Sequence, residues 1–173
     1  AQIAAVSGTQ IHMTGSSFVN ESTNAANLAG LGNIEFIFEG GAADVDPFET
    51  AGLVDGGFTD NFAIGGLTLG GADVGKVQLV DTYDNGNRGT AGYETLFTGA
   101  LTIGTGSQLD VHGLSLYVAG DVAAALDGYI SAGLLTDSTL EEGEVLDAVY
   151  SSGDGWTTLT VVPEPPTSVL LLG

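Results

Sequence analysis

Apolar residues along this chain mostly alternate with polar ones, in short runs punctuated by glycine. Ile34, Phe36 and Phe38 stand opposite Glu35 and Glu39; Leu67 and Leu69 flank Thr68; Val77 and Leu79 flank Gln78. Leu101 and Ile103 flank Thr102, and Leu159 and Val161 flank Thr160. A two-residue period places alternate side chains on opposite faces of a strand, so each run predicts a half-buried strand. The runs recur roughly every 8–12 residues with Gly, Asp and Asn between them, which predicts an all-β chain folded as one sandwich or jelly-roll domain. A parallel sheet with helical crossovers is not expected, because the helical patterns that would carry the crossovers are missing. No internal repeat is visible in the sequence.

Two departures from alternation are readable. Leu109 and Val111 share a face, whereas Leu114, Leu116 and Val118 fall one residue out of phase. A bulge near His112-Gly113 would restore the register, and glycine tolerates the required backbone. Between Asp121 and Leu135 the period changes to that of a helix: Val122, Leu126, Tyr129, Ile130 and Leu134 fall on one side. Asp121 suits its N-cap and Gly133 its C-cap. After the acidic stretch Glu141, Glu142 and Glu144, the segments Val145–Tyr150 and Thr157–Val162 predict a hairpin around Ser151–Gly155. The sandwich domain is assigned to 1–162, with a proline-rich linker and extended apolar strand over 163–173.

Charge narrows the partners. The chain has 2 Lys+Arg against 22 Asp+Glu, a formal net charge of −20 and a pI near 4.1. Such a surface repels nucleic acid and anionic lipid and attracts divalent cations. Cysteine is absent, so disulfides contribute nothing and thiolate chemistry is excluded. With 43% hydrophobic residues the chain is too apolar for an acidic disordered segment. Ala1-Gln2 is read as a start left by signal-peptide cleavage, which places the protein outside the cell or on its surface.

The C-terminus carries an address. Val162-Pro163-Glu164-Pro165, then Pro166-Thr167-Ser168 and Val169-Leu170-Leu171-Leu172, resembles the start of the PEP-CTERM sorting signal. That signal marks exported bacterial proteins processed by an exosortase-type membrane protease. In the family the apolar stretch continues as a membrane span and ends in arginines. A bilayer crossing needs roughly 20 apolar residues, so the four here, followed by Gly173, do not anchor the chain as given. A second block is similar to one common in PEP-CTERM surface proteins. It begins with Val77–Gly86, continues through Tyr93–Phe97 and Leu101–Gly104, and ends with Gln108–Tyr117. Its last part usually reads Leu-Asp-Leu-Asn-Gly-Leu-Asn-Leu-Tyr-Tyr in the family; here His112 and Ser115 replace two asparagines. The resemblance spans 61–173 and implies an extracellular surface or matrix component.

Catalytic motifs are scarce. The chain lacks Gly-x-Ser-x-Gly, His-Glu-x-x-His and a phosphate loop, and only His12 and His112 offer imidazole bases. An enzyme is not expected, although two carboxylates suffice for a glycosidase and 22 acids are present. Calcium is the better-supported ligand class. Asp81, Asp84, Asn85 and Asn87 surround Gly86, offering several oxygens on one turn, without the EF-hand spacing. Asp44, Asp46 and Glu49, with Asp55 and Asp60, form a second candidate cluster; both also read as ordinary turns. Asn20-Glu21-Ser22 matches a glycosylation sequon, or an ordinary loop asparagine.

The apolar end suggests assembly. Prolines 163, 165 and 166 enforce an extended segment that cannot pair as a central strand. Thr167, Ser168, Val169, Leu170, Leu171 and Leu172 then suit strand addition to a neighbouring copy. Burying four such side chains at ~1.5–3 kcal/mol each grosses about 6–12 kcal/mol before ordering costs. A head-to-tail contact of this kind makes a ring or an open filament. Ile3–Val6 and Ile11–Met13 are candidate receivers. The expected function is therefore a structural subunit of an extracellular filament or biofilm matrix, a homopolymer with polysaccharide as a further partner. The alternatives are a tail folded back on its own domain, a monomeric carbohydrate-binding module with Trp156 as a stacking ring, or a glycan-acting enzyme.

Overall fold

The computed structural model describes residues 2–164. In chain order its elements begin with β1 (Thr9–Met13), a 3-10 segment (Ala25–Asn33), β2 (Ile34–Phe38), β3 (Asp46–Glu49), β4 (Gly66–Leu69) and β5 (Lys76–Val80). They continue with β6 (Leu96–Thr98), β7 (Leu101–Ile103), β8 (Gln108–Asp110), β9 (Leu116–Ala119), α1 (Ala123–Ser131), β10 (Leu135–Thr136), β11 (Glu144–Ser151) and β12 (Trp156–Pro163). Every run that alternation marked as a strand is a strand.

These strands form three sheets of four, ordered β1-β2-β4-β7 (sheet A), β10-β8-β5-β3 (sheet B) and β11-β12-β9-β6 (sheet C). Sheets A and B are parallel throughout, and β6 also pairs with β9 in parallel. The chain is β-rich as expected, but these are not the antiparallel sheets of a jelly roll. From β4 to β9 it visits sheets A, B and C in rotation, twice. Each strand is laid beside the strand of the previous turn. Parallel strands need a long crossover; here the other two sides of the coil supply it, so no helix is required. Missing helical patterns therefore do not argue against parallel pairing in such a coil. The turns differ in length, with long excursions at 50–65 and 81–95, which hides the structural repeat from the sequence.

The coil's interior is built from columns of registered side chains. In sheet A, Phe38 pairs with Leu69 and Leu69 with Ile103, all of them buried. Val77, Leu109 and Leu135 make the matching column in sheet B, and Leu96 lies beside Leu116 in sheet C. The polar members of each alternating run face outward and also connect turns. Gln10 Nε2 and Thr68 Oγ1 both donate to Glu35 at 2.7 Å, from the turns on either side of it. The Thr68 bond, then the Gln10 bond, hold the Glu35 carboxyl below its usual pKa.

Where the chain turns into sheet A, only glycine fits. A Cβ on Gly65 would stand 2.8 Å from the Gly32 carbonyl oxygen, and one on Gly99 would stand 2.6 Å from that of Gly65. Successive backbones touch there, and the contacted atoms are main chain, with little freedom to retreat.

The phase slip at His112-Gly113 is a corner, not a bulge. Both residues take positive φ (50° and 75°), Leu114 N–H donates to Val111 O, and the chain passes from sheet B to sheet C. A change of sheet resets the alternation as effectively as an inserted residue. The helix forms within its predicted span. Gly133 ends it with φ 69°, as Leu134 N–H bonds Tyr129 O and Gly133 N–H bonds Ile130 O. Asp121 does not cap it; Val122 holds the N-cap position with no side-chain bond. The predicted hairpin is present as β11 and β12, and β12 adds antiparallel to β9. Pro163 was expected to lead the chain out of its own sheet. Instead it ends β12 opposite Glu144, and Glu164 N–H still bonds Gly143 O at 2.7 Å.

Replacing Gly99 by alanine should lower stability by about 1–3 kcal/mol through overpacking at the corner. Phe38→Ala should cost about 3–5 kcal/mol. Urea unfolding midpoints of the two variants check both values.

Candidate functional site

The excursion from Asp81 to Glu94, between β5 and β6, gathers most of the chemically unusual groups. Asp84 accepts the Gly86 N–H at 2.8 Å, and Gly86 has φ 87°, so Asp84-Asn85-Gly86 makes a tight turn. That turn drives Asn85 inward, where it is 1% exposed. Its Nδ2 donates to Asn20 O at 2.9 Å and Ser22 O at 2.7 Å, tying the N-terminal segment to the loop. Asn87 Nδ2 donates to Ala51 O at 2.7 Å, one turn back. Both amides therefore act as struts between successive turns of the chain.

Glu94 is the hub. It is 0% exposed, and its Oε1 accepts the N–H groups of Asn85 (2.9 Å) and Asn87 (2.8 Å). Asp81 Oδ2 accepts the Glu94 N–H, while Asp81 Oδ1 pairs with Arg88 at 3.0 Å. Burial is the main cause raising the Glu94 carboxyl above its usual pKa; the Asn87 and Asn85 bonds oppose it, and Asp81 and Asp84 add to it. Two buried side-chain oxygens have no hydrogen-bond partner among the described residues: Glu94 Oε2 and Asn85 Oδ1. Sequence reading named Asp81, Asp84, Asn85 and Asn87 but not Glu94. Seven residues beyond Asn87 and just before a strand, it gave no local signal.

The second acidic cluster does not come together. Strand alternation puts Asp46 and Glu49 on opposite faces of β3. Asp46 is buried, and its carboxyl is raised by that burial and then by neighbouring Asp44. Glu49, also buried and raised chiefly for that reason, accepts Tyr83 N–H at 2.7 Å and so belongs to the 81–94 excursion. Asp55 accepts the Tyr117 hydroxyl at 2.9 Å, and burial followed by that bond keeps the phenol protonated throughout the ordinary range. Among the described residues, no three His, Asp or Glu side chains form a ready metal group. Asn20 is 5% exposed and its Oδ1 takes the Ser22 N–H, so a glycan there would require the segment to open.

Trp156 is not a free platform. It meets Phe97 and Tyr117 edge-on, and Phe97 stacks on Tyr117 at 4.4 Å across paired strands. Phe58 lies over them from the 53–61 loop, whose neck Asn61 closes by bonding Leu53 and Gly57. A shallow groove of about 330 Å³ runs beside the hairpin, lined by Tyr93, Ser115, Asp137, Thr139 and Thr160 among others.

The histidines lie on different elements, His12 on β1 and His112 at the corner between sheets B and C. His12 on β1 bonds Glu39 at 2.7 Å. His112 meets Ser138, whose hydroxyl donates to Asp110 Oδ2 at 2.7 Å. A hydroxyl has one proton, and here it points to the carboxylate; His112 Nδ1–H therefore donates to Ser138 Oγ. The imidazole is not placed to deprotonate that serine, so the trio is a structural clamp and not a nucleophilic relay.

The sorting-like motif is divided: Val162 and Pro163 end β12 and Glu164 follows, while Pro165 and the arm Thr167, Ser168, Val169, Leu170, Leu171 and Leu172 lie outside the described residues. Sheet A ends at β1, whose outer edge pairs with no strand among the described residues. Ile11 on β1, and Val6 and Ile3 in the segment before it, are exposed. No helix among the described residues is long and apolar enough to cross a membrane. Compared with protein-family models, curated proteins and solved structures, the chain matches none.

Asp110 yields a pH prediction. Burial would raise its carboxyl, but bonds from Gln78, from Ser138 and from the His112 N–H together hold it below its usual value. Its stabilisation is therefore complete above the unfolded pKa of about 4 and is lost as pH falls through the folded value. Asp110→Asn should cost about 1–3 kcal/mol at pH 7. Urea titrations should show the gap between variant and wild type closing as pH drops toward 3.

Proposed function

We propose that the protein is a structural subunit of an extracellular filament or matrix, of the kind its PEP-CTERM resemblance implies. Copies join head to tail when the 167–172 arm of one adds as a strand to β1 of the next. The open edge of β1 carries this reading. An edge strand presents a row of unpaired N–H and C=O groups, a template for another chain unless charge or proline blunts it. β1 reads Thr-Gln-Ile-His-Met, with neither a fixed charge nor a proline, and its central residues are exposed. The net charge of −20 opposes association between copies, so the joint must rest on backbone bonds and leucine burial rather than on ion pairs. Screening that repulsion then favours growth of the polymer.

A second reading, a module that binds polysaccharide, draws on the groove beside the hairpin. Its hydroxyl and carboxylate lining (Ser115, Thr139, Thr160, Asp137) suits a neutral polyol. No catalytic role accompanies either reading.

Removing Thr167–Gly173, or introducing Ile11→Lys on β1, should abolish large assemblies seen by negative-stain microscopy and light scattering. Polymer formed as readily by both variants would overturn the reading. Glycan binding that survives the deletion, in a protein that stays monomeric, would favour the module instead. In wild type, raising NaCl from about 20 to about 300 mM, which shortens the Debye length roughly fourfold, should increase the assembled fraction.

A further inference from the structure

Glu94 poses a problem of charge. A buried carboxylate is paired with a cation, bound to a metal or neutralised by a proton. This chain has few cationic side chains to offer: 2 Lys+Arg in all. Arg88 spends its guanidinium on Asp81, at 3.0 and 3.3 Å. Lys76 lies on β5, where it stands opposite Gln108. Glu94, meanwhile, has Asp81 and Asp84 for neighbours, both of which make its negative charge costlier.

The orphaned oxygens add a second, independent observation. Glu94 is 0% exposed and Asn85 1%, yet Glu94 Oε2 and Asn85 Oδ1 have no partner among the described residues. An amide flip does not relieve the shortage, because both Nδ2 protons of Asn85 already serve the carbonyls of Asn20 and Ser22. Asn85 N–H also bonds Glu94 Oε1 at 2.9 Å, which locks the two residues together. The other side-chain groups of the pair, Asn85 Nδ2 and Glu94 Oε1, are each used twice, and what remains are two bare acceptors beside an excess of negative charge.

We propose that Glu94 Oε2 and Asn85 Oδ1 are ligands of a bound Ca²⁺ ion, which pins the 81–94 excursion to the N-terminal segment. Calcium takes carboxylate, amide and carbonyl oxygens together, in flexible geometry, so three clustered acids are not needed. Magnesium demands a stricter octahedron and surrenders its water less readily. The ion supplies the positive charge that the side chains lack, and it serves stability independently of any polymer.

The test uses the whole chain, stripped with EDTA and dialysed into 150 mM NaCl (about one Debye length of 8 Å, to suppress diffuse binding). Calcium chloride titrated by calorimetry should show a saturable site that magnesium at equal concentration does not fill. At calcium 100-fold above its Kd the melting temperature should rise by about 5–10 °C. Glu94→Gln, with a wild-type circular dichroism spectrum, should lose the saturable heat and the thermal shift. Should that variant fail to fold, Asn85→Ser provides a milder loss of one ligand, expected to weaken calcium at least tenfold. No saturable calcium binding to wild type, or equal binding by the variants, would overturn the proposal. Either result would assign the two oxygens to a buried water or to a protonated Glu94.

Discussion

Backbone hydrogen bonds between one turn of the chain and the next hold this molecule together, and most of its other features answer to that pairing. Laying each strand parallel to the one a turn earlier aligns like positions, so buried residues fall into columns and outward residues into rows. Phe38, Leu69 and Ile103 share one column because the register requires it. The same stacking brings backbones together at the corner through Gly65 and Gly99, where a side chain would collide with the turn beneath. Interruptions are confined to the corners, and there the long excursions leave the coil without breaking the ladder.

An acidic chain with almost no lysine or arginine must then stabilise its carboxylates by other means. It does so largely with neutral donors, taken from adjoining turns or from the same loop. Gln10 and Thr68 serve Glu35, Gln78 and Ser138 serve Asp110, and the backbone N–H groups of Asn85 and Asn87 serve Glu94. The bonds to Glu35 and Asp110 double as ties between turns, so the charge pattern and the coil reinforce each other. Where burial is deepest, at Glu94, neutral donors satisfy only one of the two oxygens. The unmet remainder is what distinguishes this acid from the rest.

The ends of a coil differ from its middle. Inner strands have both edges paired, whereas β1 has one edge paired to β2 and the other open. At the opposite end the order changes: after β9 the chain makes α1 instead of another sheet A strand, and the helix packs on β10 and β11. The antiparallel hairpin β11–β12 then finishes sheet C. This asymmetry gives the molecule two unlike ends.

How much of this was legible in the sequence depends on the range of the interaction. Strand positions were, because the alternation at Ile34–Phe38, Leu67–Leu69, Val77–Leu79 and Leu101–Ile103 is a local consequence of having one wet and one dry face. The helix and its Gly133 terminus were legible for the same reason, as was the hairpin turn at Ser151–Gly155. Of the 81–94 loop, the turn formers Asp84, Asn85 and Gly86 announced themselves, but Glu94 did not. Its burial arises from packing against Asn85 and Asn87 after a long excursion, and no short pattern records that. Strand direction was equally hidden, since alternation is identical in parallel and antiparallel pairs. Only the closed path of the chain, with unequal turns bringing distant residues into register, decided that sheets A and B are parallel, that His112-Gly113 is a corner, and that one buried carboxylate keeps an oxygen without a hydrogen-bond partner among the described residues.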